Sequence, residues 1–289
     1  MKPIACLGLI ANLTRPRAKE GLEALVRAAR AAGITLCPAP ETAPALPGCT
    51  PVRPEAFPEA GAQGVISLGG DGSFLAAARA VSATGLPLIG LNVGHLGYLT
   101  AVNEEGFGPL LGDLAAGRYA VETRTTLAAR VAGAPAFPDA LNDLVVARAE
   151  GGHAFALLLE LDGFPVARYL CDGLILATPT GSTAYSLSVG GPVVAPTAKA
   201  LVVSVIAPHA LSARPLVIPD ETAVCVRVDP AGTAPAKVYA DGAPVATLPP
   251  GAALQASASG RSVRVLLPHD HNPYAPLSAK LGWSACFLR

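Results

Sequence analysis

The chain has 289 residues, 51% of them hydrophobic, with 21 basic and 21 acidic side chains and a formal net charge of zero. That length holds one large domain or two, and that apolar content supplies a sizeable core and excludes a disordered chain. Charge balance also removes the electrostatic footprint of a nucleic-acid binder or a polybasic membrane binder, and suits a small ligand recognised locally.

In chain order, "IACLGLI" (4–10) reads as a buried strand. The spacing of Leu22, Leu25, Val26 and Ala29 predicts a helix over 18–32, with Gly33 as its stop. "ITLC" (34–37) is a candidate second strand, and the seven prolines of 38–58 read as a long surface loop. "GVISL" (64–68) is a run of fully buried strand type that leads into "GGDGS". A helix is expected over 73–83, with Ser73 as N-cap and Gly85 as stop. "LPLIGLN" (86–92) reads as a strand running into the glycine-rich "NVGHLGYLT" (92–100). Strands alternating with helices imply a parallel sheet covered on both faces.

Near residue 120 the rhythm changes. "YAVETRTTLAARV", "LNDLVVAR", "FALLLELDG", "PVARYL", "GLILAT", "LVVSVI", "PLVI", "AVCVRV" and "SVRVLL" are strand-like runs separated by turns. The expected organisation is an N-terminal Rossmann-like α/β domain (1–120) carrying the GGDGS loop and a β-rich domain (121–270). A C-terminal segment (271–289) is expected to pack back on the first. The six cysteines form no C-x-x-C pair and read as reduced, cytoplasmic and mostly buried. The apolar start is strand-length rather than a secretory leader. No apolar stretch reaches the ~18 residues of a membrane span.

Three stretches carry chemistry. In "LGGDGS" (68–73) the glycines Gly69, Gly70 and Gly72 let backbone amides approach phosphate oxygens at a helix start, with Ser73 beside them. No lysine follows, and the pattern is neither of the common phosphate-loop or dinucleotide fingerprints. Asp71 at its centre could hold Mg²⁺, accept a proton from an attacking hydroxyl, or cap backbone amides in an ordinary turn. "DGLILATPTGSTAYSLSVGGP" (172–192) crowds hydroxyls around Gly181. They suit ribose and phosphate oxygens, or alternatively a polar loop at a capped helix start. In "LNDLVVAR" an Asn142 amide can pair with an adenine edge and an Asp143 carboxylate with ribose hydroxyls, although Asn-Asp is also a common turn. The five histidines give no convincing metal set.

Taken in order, "GGDGS", "NVGHLGYLT", "LNDLVV", "DGLILATPTGSTAYSLSVGGP", "PHALSARPLVI" and the terminal "KLGWS" resemble the bacterial NAD kinases. "GGDG" alone is shared with diacylglycerol-type lipid kinases and 6-phosphofructokinases. The hydroxyl-rich "TPTGSTAY" argues against an acyl-binding surface. A silent NADP(H)-binding sensor is the rival of another class, and Asp71 argues against it.

The resemblance implies ATP-dependent phosphorylation of the adenosine ribose 2′-hydroxyl of NAD, with a divalent cation, Mg²⁺, as cofactor. It implies an N-terminal α/β domain, a β-rich C-terminal domain, a site between them, and a cytoplasmic homotetramer without nucleic-acid or membrane partners. By the resemblance Asp71 is the catalytic base and Gly72 lies beside the dinucleotide, with Gly69, Gly70, Gly72 and Ser73 on the phosphates. Asn142 and Asp143 hold adenine and ribose, Asp172 stands near the nicotinamide, and Thr180 near the adenine. Thr183, Ala184, Tyr185, Ser186, Leu187 and Ser188 line the dinucleotide, and His153 and Ala207 contact it in some members. Asp172 and Ala184 complete a site on a neighbouring subunit. Leu170 stands where other members place arginine, which leaves donor preference and the use of NADH open.

Overall fold

The structure is a computed structural model that describes residues 1–14, 17–94, 97–149 and 155–283. Residue contacts divide the chain into two units, Met1–Thr123 with Val263–Arg289, and Arg124–Ser262.

The first unit begins with β1 (Cys6–Ala11) and α1 (Ala18–Ala31), which turns Leu22, Leu25 and Ala29 inward at helical spacing. Gly33 ends that helix at φ 70°, a left-handed conformation that costs glycine no Cβ clash. β2 (Thr35–Pro38), β3 (Val65–Gly69) and β4 (Leu88–Asn92) complete a parallel sheet in the order β2-β1-β3-β4. Leu9 stands opposite Ile66, and Ile66 opposite Ile89. α2 (Asp71–Val81) lies between β3 and β4 in the chain, while β5 (Thr100–Val102) pairs with β4 and precedes α3 (Phe107–Ala115). All residues of β3 and β4 are buried, as in parallel strands covered on both faces. Leu7, Leu9, Leu25, Leu91, Phe107 and Leu111 form one core cluster. Elsewhere on the strands glycines admit aromatic rings. A Cβ at Gly8 would stand 2.6 Å from the Phe57 ring, and one at Gly90 2.8 Å from that of Phe74.

Two expectations for this unit need correction. The helix after β3 starts at Asp71, with Gly70 as its N-cap, rather than at Ser73. Gly69, at φ 156°, lets the chain turn two residues earlier than a Ser73 cap would require. The proline-rich segment is not simply a surface loop, because Ala39, Thr42 and Phe57 within it are fully buried. Thr42 Oγ1 accepts the Ala11 amide at 2.9 Å, tying the segment to β1.

The second unit is antiparallel. β6 (Tyr119–Val131) leads into it from the first. β7 (Asp143–Arg148), β8 (Ala156–Leu161), β9 (Phe164–Leu170) and β10 (Gly173–Ala177) precede α4 (Tyr185–Ser188). Then come β11 (Ala200–Ile206), β12 (Leu216–Pro219), β13 (Val224–Val228), β14 (Ala236–Ala240), β15 (Ala243–Leu248) and β16 (Ala253–Pro268). One sheet runs β12-β11-β10-β7-β14-β15, and in the other the first part of β16 pairs β13, which pairs β8, which pairs β9. Leu144, Leu174 and Leu201 of the first sheet share a core with Leu157, Val226 and Leu254 of the second. β10 is buried throughout, because Ile175 and Ala177 enter a further cluster with Val145 and Val202.

The last part of β16 belongs to the first unit, where Val265 pairs in parallel with Leu88, and α5 (Ala275–Lys280) follows. The described cysteines are free but not mostly buried. Among the described residues Cys171 is buried, Cys6, Cys37 and Cys225 are half-buried, and Cys49 is exposed. Cys37 is half-buried because it lies on β2, the edge strand of the parallel sheet. Among the described residues no helix is long and apolar enough to cross a membrane.

Candidate active site

Asp71 is the first residue of α2, at the carboxyl end of a buried parallel strand, where open α/β sheets bind ligands. Its Oδ2 accepts the Tyr98 amide at 2.9 Å and its Oδ1 the Leu99 amide at 3.0 Å. Gly97 packs so closely on the carboxylate that a Cβ there would overlap it. The Gly97 amide donates to Thr100 Oγ1 at 2.8 Å, and buried Asn92 donates to the same hydroxyl at 3.3 Å. The segment after β4 thus clamps Asp71 from one side. Gly72, by contrast, is exposed, with open space where a Cβ would be. Ser73 Oγ is buried and packs against Gly69, so its hydroxyl does not reach the open side. Lys280 of α5 sits 4.2 Å from the centre of the Tyr98 ring, a cation–π contact. Burial first, and then the Asp71 charge, push the Tyr98 phenol above its ordinary value.

In the second unit the expected residues fall into two groups at opposite ends of β10. Asp143 opens β7 and stands opposite Ala177, at the carboxyl end of β10. It is buried, and burial followed by the charge of Asp241 pushes its carboxyl up to about 7. Thr178 Oγ1 donates to the Leu141 carbonyl at 2.6 Å and accepts the Gly181 amide at 3.0 Å. The 3₁₀ turn Thr180–Thr183 follows, and Arg124 donates to Thr180 Oγ1 at 3.5 Å. Thr183 Oγ1 donates back to the Thr180 carbonyl at 3.2 Å. Ala184 separates this turn from α4, on which Tyr185 and Ser188 are exposed and Leu187 half-buried. Ser186 faces inward instead, its hydroxyl 2.9 Å from that of Ser204 on β11, so it anchors α4 rather than lining a surface.

The other end of β10 holds Asp172, whose amide donates to the Ile206 carbonyl at 2.9 Å, next to Ala207. Ala207 lies at φ 45°, unusual for a residue with a Cβ. Five strand residues, roughly 17 Å, separate Asp172 from the Asn142 end. Asp172 Oδ1 accepts from Arg148 at 3.1 Å. Sequence reasoning passed over Arg148, whose amide also donates to the Asp172 carbonyl at 3.0 Å. It also passed over Asp241, for which the Asp-Gly dipeptide was the available signal. His153 lies outside the described residues.

A carboxylate held at a glycine-lined helix start, and a buried strand end rich in hydroxyls and amides, define the class: an α/β protein equipped for phosphorylated, hydroxyl-bearing ligands. The ATP-NAD kinase N-terminal domain family matches residues 7–119, and the ATP-NAD kinase C-terminal domain family residues 141–267. The NAD kinase of Aromatoleum aromaticum is 35% identical over 289 residues, covering 98% of this chain and 96% of that protein. A crystal structure of yeast NADH kinase complexed with NADH superposes with a TM-score of 0.86 at 22% identity, covering 98% of this chain and 89% of that one. A crystal structure of an NAD kinase from Archaeoglobus fulgidus in complex with ATP gives 0.74 at 24% identity, covering 96% and 98%. The two solved structures speak to the fold. The chain belongs to the ATP-NAD kinase family.

Proposed function

We propose that the chain transfers the γ-phosphoryl group of ATP to the 2′-hydroxyl of the adenosine ribose of NAD, giving NADP and ADP. Membership of the family over both units supports this reading. The observation that carries it is Asp71, a carboxylate oriented by the Tyr98 and Leu99 amides at the start of α2, beside the open Gly72. Asp71 takes the proton of the 2′-hydroxyl as the new P–O bond forms. The positive end of α2 and the amides of Gly70 and Gly72 favour the phosphates. Asn142 reads the adenine of the acceptor and Asp143 accepts from its ribose. Thr180, Thr183, Ala184, Tyr185, Leu187 and Ser188 line the dinucleotide.

Among the described residues no cluster of three His, Cys, Asp or Glu could hold a resident metal ion. Both Asp71 oxygens already accept amide protons. With Asp71 kept for the hydroxyl proton, the residues present fit a hard cation, Mg²⁺, that would be carried in by the triphosphate oxygens rather than held by a protein cage. Such a cation, when bound, neutralises phosphate charge.

In this reading the unit of residues 1–123 and 263–289 is the kinase unit and the unit of residues 124–262 the dinucleotide unit, in a cytoplasmic homotetramer. Asp172, far along β10 from Asn142, serves a neighbouring copy together with Ala184. The deciding assay follows NADP formation from NAD with ATP, other triphosphates and polyphosphate in the presence of Mg²⁺. Turnover with ATP is the expected result. Tight binding of NAD or NADP with no turnover under any donor would replace the kinase with a dinucleotide sensor.

A further inference from the structure

Asp241 occupies the turn between β14 and β15 at φ 48°, followed by Gly242 at φ 77°. Its carboxylate folds back onto three successive amides. Oδ2 accepts Leu141 N–H at 2.9 Å, and Oδ1 accepts Asn142 N–H at 2.7 Å and Asp143 N–H at 3.2 Å. The Asp241 amide donates to the Asp143 carbonyl at 3.0 Å. From the other side Thr178 donates its hydroxyl to the Leu141 carbonyl at 2.6 Å and its amide to the Asn142 carbonyl at 2.9 Å. Gly181 approaches the Asn142 backbone so closely that a Cβ there would overlap it.

Leu141 and Asn142 precede the first ladder residue of β7, so strand pairing does not fix their amides. Asp241 does, with an ionised acceptor, and charge-assisted bonds of this kind are stronger than neutral ones. Its charge also bears on Asp143. Ala177 across the ladder and Ala240 beside the turn are neutral, and Asp241 is the charged group that raises the proton affinity of the Asp143 carboxyl.

We propose that Asp241 is a positioning residue for the acceptor nucleotide, fixing the backbone from which the Asn142 amide and the Asp143 carboxylate reach the adenosine. This rests on the roles given to Asn142 and Asp143 above. The test compares D241N and D241G with N142A in the full-length protein. Asn and Gly both accept the left-handed turn, so the change falls on the carboxylate. In both Asp241 variants KM for NAD rises about tenfold or more while KM for ATP stays within about twofold, a split that marks lost acceptor binding. The pH profile of KM for NAD, inflecting near 7 in the unaltered protein, moves to lower pH in D241N as the like charge is removed.

A merely structural residue would lower stability and turnover together without moving that inflection. Folded D241N and D241G with unaltered KM for NAD, while N142A raises it, overturn the positioning role alone. N142A with unaltered KM overturns the reading of Asn142 beneath it. Should neither Asp241 variant fold, hydrogen exchange on the unaltered protein decides. The Asn142 amide exchanges as slowly as the amides of β7 if Asp241 holds it, and exchange as fast as loop amides overturns the proposal.

Discussion

Both oxygens of Asp71 accept backbone amide protons, and each keeps a further lone pair for a second partner. Capping and catalysis are therefore compatible: the amides of Tyr98 and Leu99 fix the direction of the carboxylate, and the second lone pair of an oxygen is left to accept the hydroxyl proton. In D71N one amide would confront an NH₂ group, and the proton acceptor is lost. We expect D71N to lower kcat by at least ~10²-fold, with an unchanged far-ultraviolet spectrum. Raising Mg²⁺ should restore little of this rate, and substantial rescue would assign Asp71 to the metal instead. Near-normal turnover would leave it a loop cap only. Asp143 makes a prediction of a different kind. In the folded chain its carboxyl titrates near 7, against 3.8 as its ordinary value. The folded state thus holds this proton more tightly than the unfolded state, so the contribution is full below pH ~4 and is lost as pH rises through ~7. The cost of keeping Asp143 ionised at pH 8 is on the order of 2–4 kcal/mol. D143N escapes it, and should gain stability over the unaltered protein between pH 5 and pH 8 in urea denaturation while binding NAD more weakly. Equal pH slopes for the two proteins would refute the assignment.

At the scale of elements, strong local patterns were readable and weak ones were not. The period of Leu22, Leu25 and Ala29 gave α1 almost to the residue, and "YAVETRTTLAARV" is β6 itself. The run "FGPLLGDLA" was passed over because Gly108, Pro109 and Gly112 lower its helix propensity. Burial overrides that. Phe107, Leu110, Leu111 and Leu114 fall at i, i+3, i+4 and i+7 and lock α3 into the core. The hairpin of β14 and β15 was missed although Asp-Gly is a strong turn signal, because Lys237 and Tyr239 interrupt the apolar run. That omission hid Asp241, whose contact with residues 141–143 spans about a hundred positions and leaves no local trace. The GGDGS turn and the hydroxyl-rich segment were legible because their composition exceeds what a turn needs. Which hydroxyl faces outward was not: Ser186 and Ser188 look alike in sequence, and only the packing of α4 on β11 turns the first of them toward Ser204.

At the scale of the whole molecule the question is what covers the edges of the second unit. β9 ends its sheet with Phe164 73% exposed and Val166 also exposed, and β12 ends the other sheet with Leu216 and Val217 exposed. Leu211, in the loop before β12, is 94% exposed. Open edges carrying apolar side chains invite a further chain, and a second copy is the partner that symmetry supplies most economically. In the homo-oligomer proposed above Asp172 would have a chemical purpose, because it lies roughly 17 Å along β10 from the Asn142 end and cannot serve the same nucleoside contact within one chain. If it serves a neighbour, two inactive variants should repair each other. D172A keeps its own Asp71 but lacks the carboxylate it lends, and D71N lends Asp172 but has no base. Each variant alone should be impaired. Refolded together at equal amounts, half of the randomly formed pairs are mixed, and each mixed pair contains one site with both carboxylates. Recovery of about a quarter of the normal specific activity is therefore expected. Activity equal to the simple average of the two variants, or a fully active monomer by analytical ultracentrifugation, would place Asp172 outside any shared site.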